Sequence, residues 1–136
     1  MSRAVPAVLL ALAALASGCA GSASSAGKFQ GEERKVADVV EKIQSAGRTG
    51  DAREICEDVL AKQLRDQIAE AGSNCEQEIG RAIDDADDFE LTVEAVTISG
   101  NTATAKVKGQ DRGAERVRDF EFVREGPNWR ATNLGS

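Results

Sequence analysis

The stretch "FELTVEAVTISGNTATAKV", residues 89–107, decides the fold. Phe89, Leu91 and Val93 alternate with Glu90, Thr92 and Glu94, the period of a half-buried strand. The phase slips at Ala95 and Val96 and resumes with Val96 and Ile98. A slip of this kind marks a β-bulge, which turns the strand and re-aims its side chains. Ser99, Gly100 and Asn101 then signal a tight turn, and Ala103, Ala105 and Val107 form the next alternating run. Beyond it the sequence predicts a polar loop over 109–113 and a third strand over 115–124. Phe120 and Phe122 lie on one face of that strand, Val117 and Val123 on the other. Gly126, Pro127 and Asn128 turn the chain into a last strand over 129–134, where Trp129 reads as a core anchor.

Towards the N-terminus the period becomes helical. Val36, Val39, Val40 and Ile43 make one face of a helix over 32–46, with Gly47 placed to close it. Asp51, followed three residues later by Glu54, opens a second helix. Its apolar set is Ile55, Cys56, Val59, Leu60, Leu64 and Ile68, and periodicity alone allows a single helix over 52–71. Ser73 and Glu76 form a capping box for another helix, with Cys75, Ile79, Ala82 and Ile83 on one face. The acidic residues 84–88 oppose a helix C-terminus and so belong to its exit loop. Three to four helices followed by four antiparallel strands indicate an α+β domain, helices packed on one face of the sheet.

The chain has 136 residues and a net charge of −6, which argues against nucleic-acid binding. The acidity is uneven: residues 32–90 carry 8 basic and 17 acidic side chains, residues 91–136 carry 7 and 6. There is no His and no Tyr. The usual neutral-pH proton shuttle and the commonest zinc ligand are therefore missing, and the sequence calls for no cofactor and no metal.

Residues 1–18 read as an export leader. Arg3 supplies positive charge, and residues 4–16 are apolar apart from Pro6. That run is too short to span a bilayer, which takes about 20 residues, but fits a signal-peptide core. Ser17, Gly18 and Cys19 follow, resembling the lipobox of bacterial lipoproteins, with Ala16 where a stricter match has Leu. The resemblance implies that Cys19 becomes an acylated N-terminus, since a thiolate is a good nucleophile for a diacylglyceryl group. Two or more acyl chains anchor a protein stably. Cleavage at another small residue, as in an ordinary secretory signal, is the alternative. Residues 19–31 read as a flexible tether rich in Gly, Ser and Ala, leaving a domain over 32–136.

With Cys19 assigned, Cys56 and Cys75 remain. Two leftover thiols in an exported protein most often pair. The bridge closes a loop of roughly 20 residues, worth about 3 kcal/mol by chain entropy. It conflicts with one continuous helix, which carries the chain about 22 Å between Cys56 and Ala71, whereas disulfide-bonded Cα atoms lie within about 7 Å. Either the helix breaks near residues 60–63, the reading favoured here, or both cysteines are free buried thiols. No Pro or Gly marks such a break.

The order "GDAREICEDVL … NCEQEIG … VTISGNTATAKV … FEFVREGPNWRATNL" resembles small lipoproteins of high-GC Gram-positive bacteria that carry an NTF2-like (SnoaL-like, cystatin-like cone) domain. The resemblance covers residues 50–134. It implies a strongly curved sheet wrapped around helices, with a pocket in the cone. Enzymatic members place His, Asp or Tyr there, and this chain has neither His nor Tyr, so no catalytic residue is carried over.

The remaining clusters read as surface. The acidic run 84–90 lacks the ligand spacing of an EF-hand loop. Arg112, Arg116, Arg118 and Arg124 read as a salt-bridged surface. The expectation is a non-enzymatic, lipid-anchored protein on the extracytoplasmic face of a cell membrane, binding an envelope protein or a small apolar ligand. The competing expectation is a small envelope enzyme using Asp119 or Glu121 in the cone; a third is a structural spacer.

Overall fold

A computed structural model describes residues 24–135. A 3-10 turn (Ser25–Lys28) leads into α1 (Gly31–Thr49). Next come α2 (Ala52–Glu54), a π-helical turn (Ile55–Val59), α3 (Lys62–Glu70) and α4 (Cys75–Asp85). The strands β1 (Thr92–Ser99), β2 (Thr102–Asp111), β3 (Ala114–Glu125) and β4 (Asn128–Asn133) follow. They form one antiparallel meander in the order β1-β2-β3-β4. The α+β order of helices before strands is as the periodicity predicts.

The core lies between α1 and one face of the sheet. Val36, Ala37, Val40, Ile43 and Ala46 of α1 meet the inward residues Val93, Ala105, Val107, Phe120, Phe122 and Trp129. Ile55, Cys56, Val59 and Leu60 complete it. The opposite sheet face is open, and Val117 there is half exposed. The bulge falls where the phase slips: the β1–β2 register shifts between Val93 and Ala95, so Glu94 is the extra residue. Val96 and Ile98 are thereby returned to the core side. A second irregularity, at Thr132 opposite the Glu121–Phe122 step, has no counterpart in the sequence pattern.

α4 includes Asp84 and Asp85, so only residues 86–88 of the acidic run lie in its exit loop, and four further details differ from the pattern-based expectation. First, α1 continues past Gly47 to Thr49, and Gly50, at φ 73°, is the left-handed cap. Gly47 is instead buried in the helix beneath Phe89. Second, the α4 cap is Asn74 rather than Ser73, its side chain accepting from the Gln77 N–H at 3.2 Å. Third, 109–113 is not a loop. β2 runs to Asp111, and Arg112 and Gly113 make a two-residue turn, both at positive φ (53° and 76°), which the strand twist of a hairpin favours. Fourth, residues 25–28, expected in the tether, are packed on the domain, with Ala26 fully buried. Small residues carry no amphipathic period, so that docking leaves no pattern to read.

Candidate functional site

Cys19 and the leader lie outside the described residues. The two other cysteines are joined: the Cys56–Cys75 S–S distance is 2.04 Å and the Cα atoms are 6.1 Å apart. The helix break that this pairing needs is present at Leu60 and Ala61, both extended (ψ 137° and 147°). Its cause is tertiary. Leu60 bridges Ala131 of β4 in parallel, and the Ala61 N–H donates to the Ala131 carbonyl at 2.8 Å. A strand partner, not a Gly or Pro, ends the helix. The chain then returns through α3 to Cys75 at the first position of α4. Neither α3 nor α4 has a fully buried residue; Leu64, Ile68, Ile79 and Ile83 are only partly covered. The disulfide therefore fixes a helical hairpin that packing alone holds loosely.

The face of the sheet that meets α1 is packed with buried side chains. A void of about 50 Å³ is lined by Leu91, Val107, Gly109, Arg116, Arg118 and Phe120. Phe89 over Gly47 and the half-buried Leu91 lie at the start of β1 beside it. Asp119 and Glu121 are on the exposed face, with Asp119 3.2 Å from Lys106. Of the expected arginines, Arg112 is in the β2–β3 turn, Arg116 and Arg124 lie near the ends of β3, and Arg118 is inside the strand opposite Val107. Arg118 pairs with Asp111 at 2.5 Å and Arg116 with the same carboxylate at 4.0 Å.

Two surface features bring distant residues together. At the start of α1, the Glu32 carboxylate accepts from the Trp129 indole N–H at 2.8 Å and from Lys35 at 2.8 Å. Arg124 also bonds to it while lying over the Trp129 ring, 5.0 Å from its centroid. These donors, Lys35 foremost and then Trp129, together with the Arg124 charge, hold the Glu32 carboxyl below its ordinary value of 4.5 against some opposing burial. An open cleft of about 410 Å³ runs beside this cluster, lined by Lys35, Val39, Lys42, Asp58, Trp129 and Arg130. With Asp38 also in its wall, three basic side chains face two acidic ones there, and Trp129 is buried, so the cleft has mixed charge. Sequence periodicity does not reveal the cluster, because Glu32 and Trp129 are 97 residues apart.

The second feature is the docked N-terminal segment. The Ser24 hydroxyl donates to Glu41, and the Ala26 N–H donates to the same carboxylate at 3.0 Å. The Ser25 hydroxyl accepts from the Val93 N–H at 3.1 Å, and Lys28 donates to the Glu94 carbonyl at 3.2 Å. Residues 24–28 thus cover the outer edge of β1. Beside them is a polar cleft of about 440 Å³ lined by Ser24, Glu41, Gln44, Arg48, Glu90 and Thr92.

No protein-family model matches the chain, and no curated protein is detectably similar to it. Among the described residues, no helix is long and apolar enough to cross a membrane, and no group of three or more acidic or Cys side chains converges as metal ligands. In the acidic run, Asp88 accepts from the Glu90 N–H at 3.0 Å and Asp87 from the Gly113 N–H at 3.2 Å. Those carboxylates are local loop and turn acceptors.

Proposed function

We propose that the protein is an exported lipoprotein, held by acylated Cys19 on the extracytoplasmic face of a cell membrane. Its NTF2-like domain would act by binding an envelope protein over its surface, without catalysis. The observation that carries the reading is the Cys56–Cys75 disulfide. Such bonds persist in oxidising compartments, and their pairing leaves Cys19 as the odd thiol directly after the apolar leader. The NTF2-like assignment draws support from the helices preceding a bulged four-stranded meander laid over α1.

A protein partner is favoured over a small apolar ligand by the filled interior. The void of about 50 Å³ is far below the roughly 300–1,000 Å³ of ordinary ligand pockets, and the clefts of about 440 and 410 Å³ that reach that size are open and mostly polar, a poor match for an apolar ligand. The enzyme reading needs Asp119 or Glu121 in the cone, and both side chains are on the outer face. Metabolic acyl labelling of the wild type and Cys19→Ala tests the anchor: label and membrane retention should both be lost in the variant. In-cell crosslinking of the membrane-bound form should yield a defined protein adduct. A stoichiometric small molecule in native mass spectra would overturn the partner assignment.

A further inference from the structure

We propose that the β1 edge of the domain, with the adjoining side of α1, is a membrane-apposed surface facing the lipid headgroups. The inference rests on the lipid anchor proposed above and adds an orientation to it. Four residues, 20–23, separate Cys19 from Ser24. Five residue steps span at most about 18 Å when fully extended. From Ser24 onward there is no slack, because the segment is fastened to the body at several points. Ser24 and Ala26 bind Glu41 of α1, Ser25 binds Val93, Lys28 binds Glu94, and Ala26 is fully buried.

The chain therefore leaves the domain at a fixed point beside Glu41, Gln44 and Thr92, not from a floppy terminus. A leash this short limits which side of the domain can approach the bilayer. The β4 edge lies three strands away, roughly 14 Å at the usual strand spacing, so turning that edge to the bilayer would consume most of the leash. Charge does not make the surface adhesive. Lys28 and Arg48 are offset by Glu41, Glu90 and Glu94 at this edge, so covalent tethering rather than basic attraction sets the geometry. The domain is held close and turned one way, with the β4 edge and the α3 helix that packs beside it directed away from the bilayer.

The test places a nitroxide at Thr92→Cys or at Gln63→Cys in the acylated full chain. Each is reconstituted in phosphatidylethanolamine–phosphatidylglycerol vesicles containing a nickel-chelating lipid. Relaxation enhancement should be several-fold stronger at position 92 than at 63. A flexible Gly/Ser insert of about ten residues after Ser22 should abolish that difference while membrane attachment is retained. Intact disulfide and unchanged circular dichroism in each labelled variant establish that the fold is kept. Equal enhancement at the two sites with Cys19 acylated would overturn the orientation and leave the anchor standing. Absence of acyl label on Cys19 would overturn both.

Discussion

The ring of Phe89 occupies the space that a side chain at Gly47 would need. A Cβ placed on Gly47 falls 2.2 Å from Phe89 Cδ1 and 2.6 Å from Cγ. Those atoms are at the root of a ring, so the clash is relieved only by moving Phe89 as a whole. Gly47→Ala, though it favours the helix by intrinsic propensity, should lower stability by about 1–3 kcal/mol through overpacking. Urea unfolding measures this, and adding Phe89→Leu should recover part of the loss. A stabilised Gly47→Ala protein would show that Phe89 is not seated on the helix.

Removing the disulfide should act unevenly. The Cys56→Ala/Cys75→Ala protein should lose about 3 kcal/mol of global stability by the loop-entropy argument. Hydrogen exchange should quicken first in α3 and α4, which bury no residue completely, while β2 and β3 keep their protection. Uniform loss of protection across helices and sheet would contradict the loosely packed hairpin.

Glu32 should give stability a dependence on acid pH. Its folded pKa is depressed by the Lys35 and Trp129 hydrogen bonds and the Arg124 charge, so the unfolded chain takes up its proton at a higher pH than the folded one. The contribution is present above the unfolded value, ordinarily 4.5, and is lost as pH falls through the lower folded value. Glu32→Gln should therefore be less stable than the wild type at neutral pH, the gap closing as acid is added. A gap independent of pH between 7 and 3 would assign the effect to lost packing instead.

The docked N-terminal segment should be separable from the fold. Ala26→Asp places a charge where the side chain is fully buried and should release residues 24–28 rather than unfold the sheet, because local detachment costs less than burying the carboxylate. Limited trypsin digestion should cut after Lys28 much faster in the variant, with the remaining domain intact. Unchanged cleavage would show that the docking is not needed to protect this bond.

The elements that were legible in the sequence are those whose cause is local. Alternation from Phe89 onward, the phase slip at Ala95 and Val96, one residue past the bulged Glu94, and the carboxylate cap at Asp51 all report on nearest neighbours. The Leu60 break was legible only indirectly, through the incompatibility of a straight helix with the Cys56–Cys75 pair; its actual cause, the bridge to Ala131, lies 71 positions away. Separations of 92 and 97 residues hid the Glu32–Arg124–Trp129 cluster in the same way. Gly47 and Gly50 both follow the apolar face of α1, and only the position of Phe89 decides which is interior and which is the cap. The hairpin turn at Arg112 was obscured because a non-glycine residue takes the left-handed conformation there.

Both margins of the sheet are partly shielded, one by the Leu60–Ala131 bridge and the other by Ser25 and Lys28 against β1. Open strand edges recruit strands from other molecules, a hazard that grows wherever copies are confined to a plane and meet edge to edge. Segments too short to be strands here occupy backbone groups at Ala131, Val93 and Glu94 that the strand of a neighbouring copy would otherwise take.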